Sequence, residues 1–240
     1  MIERKTTRQA NSRGLPKGRR KAARGLVRNR ALVPGLLLAL LGTGFLAVAG
    51  VGAAATETTP GSPSAVINTV HEAMQGVLQD AATTTYQQRF DRLAPALDQA
   101  YDFNFMADKA LGRAFAGLKV EQQGLWRVAF RNYTISSYAG QFDAFNGQSF
   151  ETLGEEAAPH ETVLVRSRLL DPGKADMALN YRLQQTAGRW QIVDVYLKGT
   201  VSELALRRAD FTAILEREGF EPLLASMQKK IATFSAEKPT

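Results

Sequence analysis

"RWQIVDVYLKGTVS", residues 189–202, places apolar side chains at both parities of a would-be strand. A strand covered on one face alternates apolar with polar residues. Strict alternation sends Trp190, Ile192 and Tyr196 one way and Val193, Val195 and Leu197 the other, so both faces are expected to be covered. Asp194 interrupts the series. A buried carboxylate needs a charged or hydrogen-bonding partner. Arg166, Arg168 and Arg182 on neighbouring segments, or Arg208 on the helix that follows, can supply one. Asp194 and Arg208 are therefore expected to be structural; the competing reading is that Asp194 is a general base with a raised pKa.

Outward from this strand, three more segments alternate: Phe150–Glu155, Thr162–Leu170 and Met177–Gln184. Their connections, "AAPHE", "DPGKAD" and "TAG", are short enough for an antiparallel meander. Helical spacing governs the rest. Ile67, Val70, Met74, Val77 and Ala81 recur at helical intervals behind Ser64 as the expected cap. Thr85–Ala100 reads as a second helix bent at Pro95, and Tyr101–Phe115 as a turn and short helix stopping near Gly117. The longest pattern, Val120–Phe145, carries Leu125, Trp126, Ala129, Phe130, Tyr133, Tyr138, Phe142 and Phe145 as a wide stripe. After the strands, Ser202 caps a helix to Glu218, Gly219 ends it, and a last helix covers Pro222–Phe234. Helices gathered before and after one antiparallel sheet of about four strands predict an α+β domain. It carries more large apolar side chains than one sheet face needs.

The amino terminus has a different composition. Residues 1–30 hold eleven of the 30 Lys and Arg but one of the 23 Asp and Glu, and no charge then occurs until Glu57. The uncharged run from Ala31 to Ala55 is long enough to span a bilayer, which takes roughly 17–25 residues. Basic flank, apolar centre and closing small residues are the parts of a secretory signal, with Ala53 and Ala55 before a cut at Thr56. An uncleaved membrane anchor is the alternative. Residues 1–55 are thus expected to be a leader, 56–63 a linker, 64–234 the folded domain and 235–240 a tail. Without the leader, 19 basic residues face 22 acidic ones, so the net charge of +7 belongs to the leader. Positive-inside orientation explains that charge, and a nucleic-acid partner loses its support.

The chain has no cysteine, which removes thiol nucleophiles, zinc–cysteine sites and redox pairs. Its two histidines, His71 and His160, lie far apart without metal-ligand spacing, so no metal site is expected. No GxSxG elbow is present, so a hydrolase triad lacks its sequence signs. "GTGFLA" (42–47) matches a loose glycine fingerprint but sits in the leader with no strand before it.

Three stretches carry a resemblance. "DFNFMADKALGRAF" (102–115), "EQQGLWRVAFRNYTISSYAGQFDAFNG" (121–147) and "GRWQIVDVYLKGTVSELALRRADF" (188–211) resemble the toluene-tolerance, or Mla-type (MlaC-like), periplasmic lipid-binding proteins. The likeness covers most of Ser64–Phe234 in order. It implies a mixed sheet whose helices enclose a deep pocket for acyl chains, and a monomeric carrier, not an enzyme, that needs no cofactor. The implied partners are an inner-membrane ABC transporter complex and an outer-membrane lipoprotein complex. Gly199-Thr200-Val201-Ser202 and Arg207 depart from the pattern of many members and are more similar to the branch associated with hopanoid biosynthesis, so the ligand is a phospholipid or a hopanoid. With this fold in view, Val165, Leu179, Tyr181 and Val195 are expected to face Phe130, Tyr133 and Phe142 across an acyl-sized cavity. Trp190 and Ile192 are expected on the opposite face. Two other readings stand beside the carrier: a lipid-modifying enzyme using Asp194 with His71 or Tyr181, and a membrane-tethered adaptor with a filled core.

Overall fold

A computed structural model describes residues 61–236. The leader, most of the linker and the end of the tail lie outside the described residues.

Among the described residues, six α-helices flank one sheet. The first, α1 (Pro63–Gln79), is capped by Ser62 and not by the expected Ser64, so it starts two residues earlier: Pro63 fits the first turn and the Ser62 hydroxyl accepts the Ala65 N–H. Thr85 and Gln88 form a reciprocal capping box at the start of α2 (Tyr86–Ala100), which continues past Pro95. The short α3 (Phe103–Leu111) is capped by Asp102 and stops at Gly112, whose φ of +56° suits a residue without a side chain. The longest helix, α4 (Val120–Gln141), ends at Phe142, short of the expected Phe145. After the sheet come α5 (Glu203–Glu218) and α6 (Phe220–Ser235), joined at Gly219.

The strands are β1 (Ser149–Ala158), β2 (Thr162–Leu170), β3 (Met177–Thr186), β4 (Arg189–Leu197) and a short β5 (Val201–Ser202). They pair antiparallel in sequence order, one strand more than expected. The β3–β4 hairpin is tighter than its expected ends implied. Thr186 pairs with Arg189, and the two-residue turn Ala187-Gly188 has positive φ at both positions. This backbone twist matches that of the flanking strands.

The puzzle of residues 189–202 is resolved by a bulge. Arg182 lies opposite Asp194 but Leu183 lies opposite Ile192, so Val193 is an extra residue on β4. An extra residue shifts the parity of everything beyond it. Trp190, Ile192, Val195 and Leu197 therefore share one face of the sheet, beside Leu179, Tyr181 and Leu183 of β3. This corrects the expectation that Trp190 and Ile192 face away from Val195. The second face is polar along this ladder, with Arg182, Gln184, Gln191, Asp194 and Tyr196.

The apolar face meets the helices. Val165, Leu179, Tyr181, Leu183, Ile192 and Val195 form one buried cluster with Ile67, Val70 and Met74 of α1, Leu93 and Leu97 of α2, and Trp126, Phe130 and Ile135 of α4. Phe211 of α5 and Leu223 and Met227 of α6 close the cluster on its far side. Gly140 lets α6 approach α4 closely, because a Cβ added there would lie only 2.8 Å from Cβ of Phe234. Among the described residues, no helix is long and apolar enough to cross a membrane.

Candidate ligand-binding site

The floor of the site is a row across three strands. Val165 pairs with Tyr181 and Tyr181 with Val195, so their side chains stand on one face, with Leu179 two residues along β3. All four are buried. Above them α4 contributes Phe130, fully buried, with Tyr133 and Phe142 partly buried in the same cluster. All seven residues picked from the sequence are thus brought together, and here their side chains pack in one continuous core. Phe142 turns toward β1, 6.4 Å from the ring of Phe150, while Tyr133 turns toward α5 and α6, beside Phe211 and Phe234.

Polar groups thread this apolar layer. His71 of α1 stacks on Phe150 at 4.7 Å, and its Nε2 lies 3.2 Å from the Tyr181 hydroxyl. Burial pushes the imidazole pKa down to about 4, so the ring is neutral near pH 7. The hydroxyls of Tyr101 and Tyr138 lie 2.9 Å apart. Burial raises the pKa of Tyr101, Tyr138 and Tyr181, and the Glu203 carboxylate pushes all three further the same way. Rings run on from Tyr101 through Tyr138, Phe142, Phe150 and His71 to Tyr181. An apolar layer with a few neutral hydroxyl and imidazole groups suits an amphiphile better than an ionic substrate.

A family model described as "MlaC protein" matches residues 68–229, which contain the whole sheet, α2 to α5 and most of α1 and α6. This chain belongs to the MlaC family.

Comparison with curated proteins finds no match. Among solved structures, the chain is similar to a phospholipid-binding protein from Ralstonia solanacearum, solved in complex with a phospholipid. The two are 21% identical, with a TM-score of 0.64 over 73% of this chain and 99% of that one. At that identity the likeness establishes a shared fold.

Within this MlaC-family domain the remaining candidates separate from the interior. Asp194 sits on the polar face of the sheet, opposite in direction to Tyr181, so the two do not meet. Its expected arginine partner is also corrected. Arg168 pairs with Glu151 and Asp176, and Arg166 reaches Glu156. Arg182 stacks on Tyr196. Arg208 packs over Gly112, where a side chain on residue 112 would collide with its guanidinium. Asp194 instead accepts hydrogen bonds from the Ser202 hydroxyl at 2.7 Å and the Val195 and Leu204 N–H groups at 2.8 and 3.2 Å. It thereby ties β4 to the N-terminus of α5, where unpaired N–H groups and the helix dipole favour a negative charge. A bulge turns this strand, and a carboxylate then anchors the helix that follows.

His71, which lacks metal-ligand spacing in the sequence, is 6% exposed inside the site. Its signal is position: it follows Ile67 by four residues and precedes Met74 by three, within the buried stripe of α1. Tyr101 and Glu203 carry no comparable signal. His71 and Phe150 also wall a groove of about 600 Å³ between α1 and β1, with Asn68, Gln75 and Thr152.

Proposed function

We propose that the protein is a lipid-binding carrier of the periplasm. It is exported by its N-terminal leader, matures near Thr56 and moves a phospholipid or hopanoid between the inner and outer membranes. It exchanges that lipid with an ABC-linked inner-membrane complex and an outer-membrane lipoprotein complex. The observation that carries this reading is the convergence of Val165, Leu179, Tyr181 and Val195 with Phe130, Tyr133 and Phe142 inside an MlaC-family fold. The similar Ralstonia protein, solved with a phospholipid, supports it.

Acyl chains enter this layer by spreading the helices from the sheet face and turning aromatic side chains aside. The stacked pair His71–Phe150 stands between the α1–β1 groove and Tyr181, which makes it the candidate gate. Energetics set the requirement. Each CH₂ taken from a bilayer forgoes about 0.8 kcal/mol, so a sixteen-carbon chain forgoes ~12 kcal/mol. A carrier must restore nearly that amount but little more, or release becomes too slow. Packing that re-forms when the lipid leaves lowers the net gain on binding, which favours release.

The test is native mass spectrometry with lipid extraction on protein isolated from the cell envelope. One lipid per chain is expected. Val195→Trp or Leu179→Trp occupies the layer the chains must open, so the folded fraction of either variant should carry less lipid, at a cost of about 1–3 kcal/mol in stability. Lipid-free wild-type protein, or unchanged content in both folded variants, refutes the proposed site; turnover of the lipid favours the enzyme.

A further inference from the structure

Among the described residues two arginines have a buried N–H without a hydrogen-bond partner: Nε of Arg182, on the polar face of the sheet, and Nη1 of Arg207, on the helix side. Arg207, in the first turns of α5, turns inward, and its side chain is 11% exposed. The face of its guanidinium lies 4.5 Å from the Tyr133 ring centre. Its Nε and Nη2 both donate to one oxygen, Oε1 of Glu203, one helical turn earlier. Its Nη1 is buried and donates to nothing. Leaving such a donor unmet is costly, because a guanidinium cannot shed its charge. A second cation approaches the same ring: the Lys230 ammonium lies 5.9 Å from the Tyr133 centroid and 5.7 Å from that of Phe211. Two cations and one carboxylate thus surround a residue of the apolar layer, beside the phenols of Tyr101, Tyr138 and Tyr181 that feel the Glu203 charge.

The missing partner must accept hydrogen bonds, carry negative charge and belong to a molecule whose body is apolar. We propose that Arg207, assisted by Lys230, binds the phosphate of a lipid headgroup at the α5–α6 end of the interior. Nη1 donates to a phosphate oxygen while Glu203 holds the guanidinium flat on Tyr133. The planar fork of arginine is suited to this geometry. The site favours a phosphate-bearing lipid over a phosphate-free one with the same acyl chains. This inference rests on the lipid-carrier reading.

The experiment offers the full chain equimolar dioleoylphosphatidylglycerol and dioleoylglycerol in mixed nonionic micelles. The two lipids share their acyl chains, and native mass spectrometry reads the bound ratio. Wild-type protein should favour the phosphatidylglycerol, and Arg207→Met should lower that preference about tenfold, the size of one hydrogen bond to a charged group. Arg207→Lys should retain part of it, and Lys230→Met should lower it about threefold, the smaller loss of a partly exposed charge. Circular dichroism checks the fold, and if Arg207→Met is unfolded, Lys230→Met and Arg207→Lys carry the comparison. Equal binding of the two lipids by wild type, or an unchanged ratio in the folded variants, overturns the headgroup site and leaves the carrier intact. Binding of neither lipid overturns the carrier itself. If excess sodium phosphate abolishes the preference, the site takes free phosphate and the headgroup assignment falls.

Discussion

Deleting Val193 tests the bulge that orders the sheet. Without the extra residue, β4 alternates strictly, and Trp190, Ile192, Val195 and Leu197 still share one face with Asp194 on the other, so the pairing with β3 and the tight turn at Ala187-Gly188 are kept. What is lost is the buried Val193 side chain and the local twist of the bulge. Burying a valine contributes about 1.5–3 kcal/mol, so the deletion should cost about that much of the ~5–15 kcal/mol that holds a typical domain together. Val193→Ala removes most of the same side chain and should cost about 1–2 kcal/mol. The two variants should therefore lie within about 1 kcal/mol of each other. Urea titration of both, followed by tryptophan fluorescence, measures the difference, and in thermal melts each kcal/mol moves a domain of this size by ~2–4 °C. A deletion variant that fails to fold, or that falls several kcal/mol below Val193→Ala, refutes the reading of Val193 as the extra residue.

Three further outcomes are expected. Asp194→Asn keeps the shape but removes the charge that anchors α5, and should cost about 1 kcal/mol in urea titration while lipid content per folded molecule stays constant; a loss of lipid without loss of stability contradicts a purely structural role. His71, with its pKa lowered from 6.5 to about 4, binds fewer protons folded than unfolded between those values. Stability is therefore complete above pH 6.5 and falls as the pH drops toward 4, by roughly 3 kcal/mol for this group; His71→Asn should flatten that slope, and an unchanged slope refutes the assignment. N-terminal sequencing of protein from the envelope should begin near Thr56, whereas an intact leader on most molecules identifies an anchor.

How much of the molecule could be read from residue order differs by element. Local periodicity was sufficient for α1 to α6 and for the four long strands, because helix and strand repeats are properties of neighbouring residues. The cap at Ser202 and the stop at Gly219 were readable for the same reason: one side chain or one φ angle decides them. Four floor residues were assigned to one face correctly, since Val165, Leu179, Tyr181 and Val195 lie on the same side of the bulge. Ile192 and Trp190 lie beyond it, and nothing local to "QIVDV" distinguishes a bulged strand from one buried on both faces. The pairing of Leu183 with Ile192 decides that, and pairing is a relation between distant segments. The same limit hid the partners of Asp194 and Arg207. By itself the sequence determined which segments are helix or strand, the α+β class and the apolar stock of the interior. Only the tertiary structure decided that Asp194 holds a helix N-terminus and that Arg207 points inward with an unmet donor. Charge and burial belong to three-dimensional neighbourhoods, and the turns that create those neighbourhoods join residues far apart in the chain.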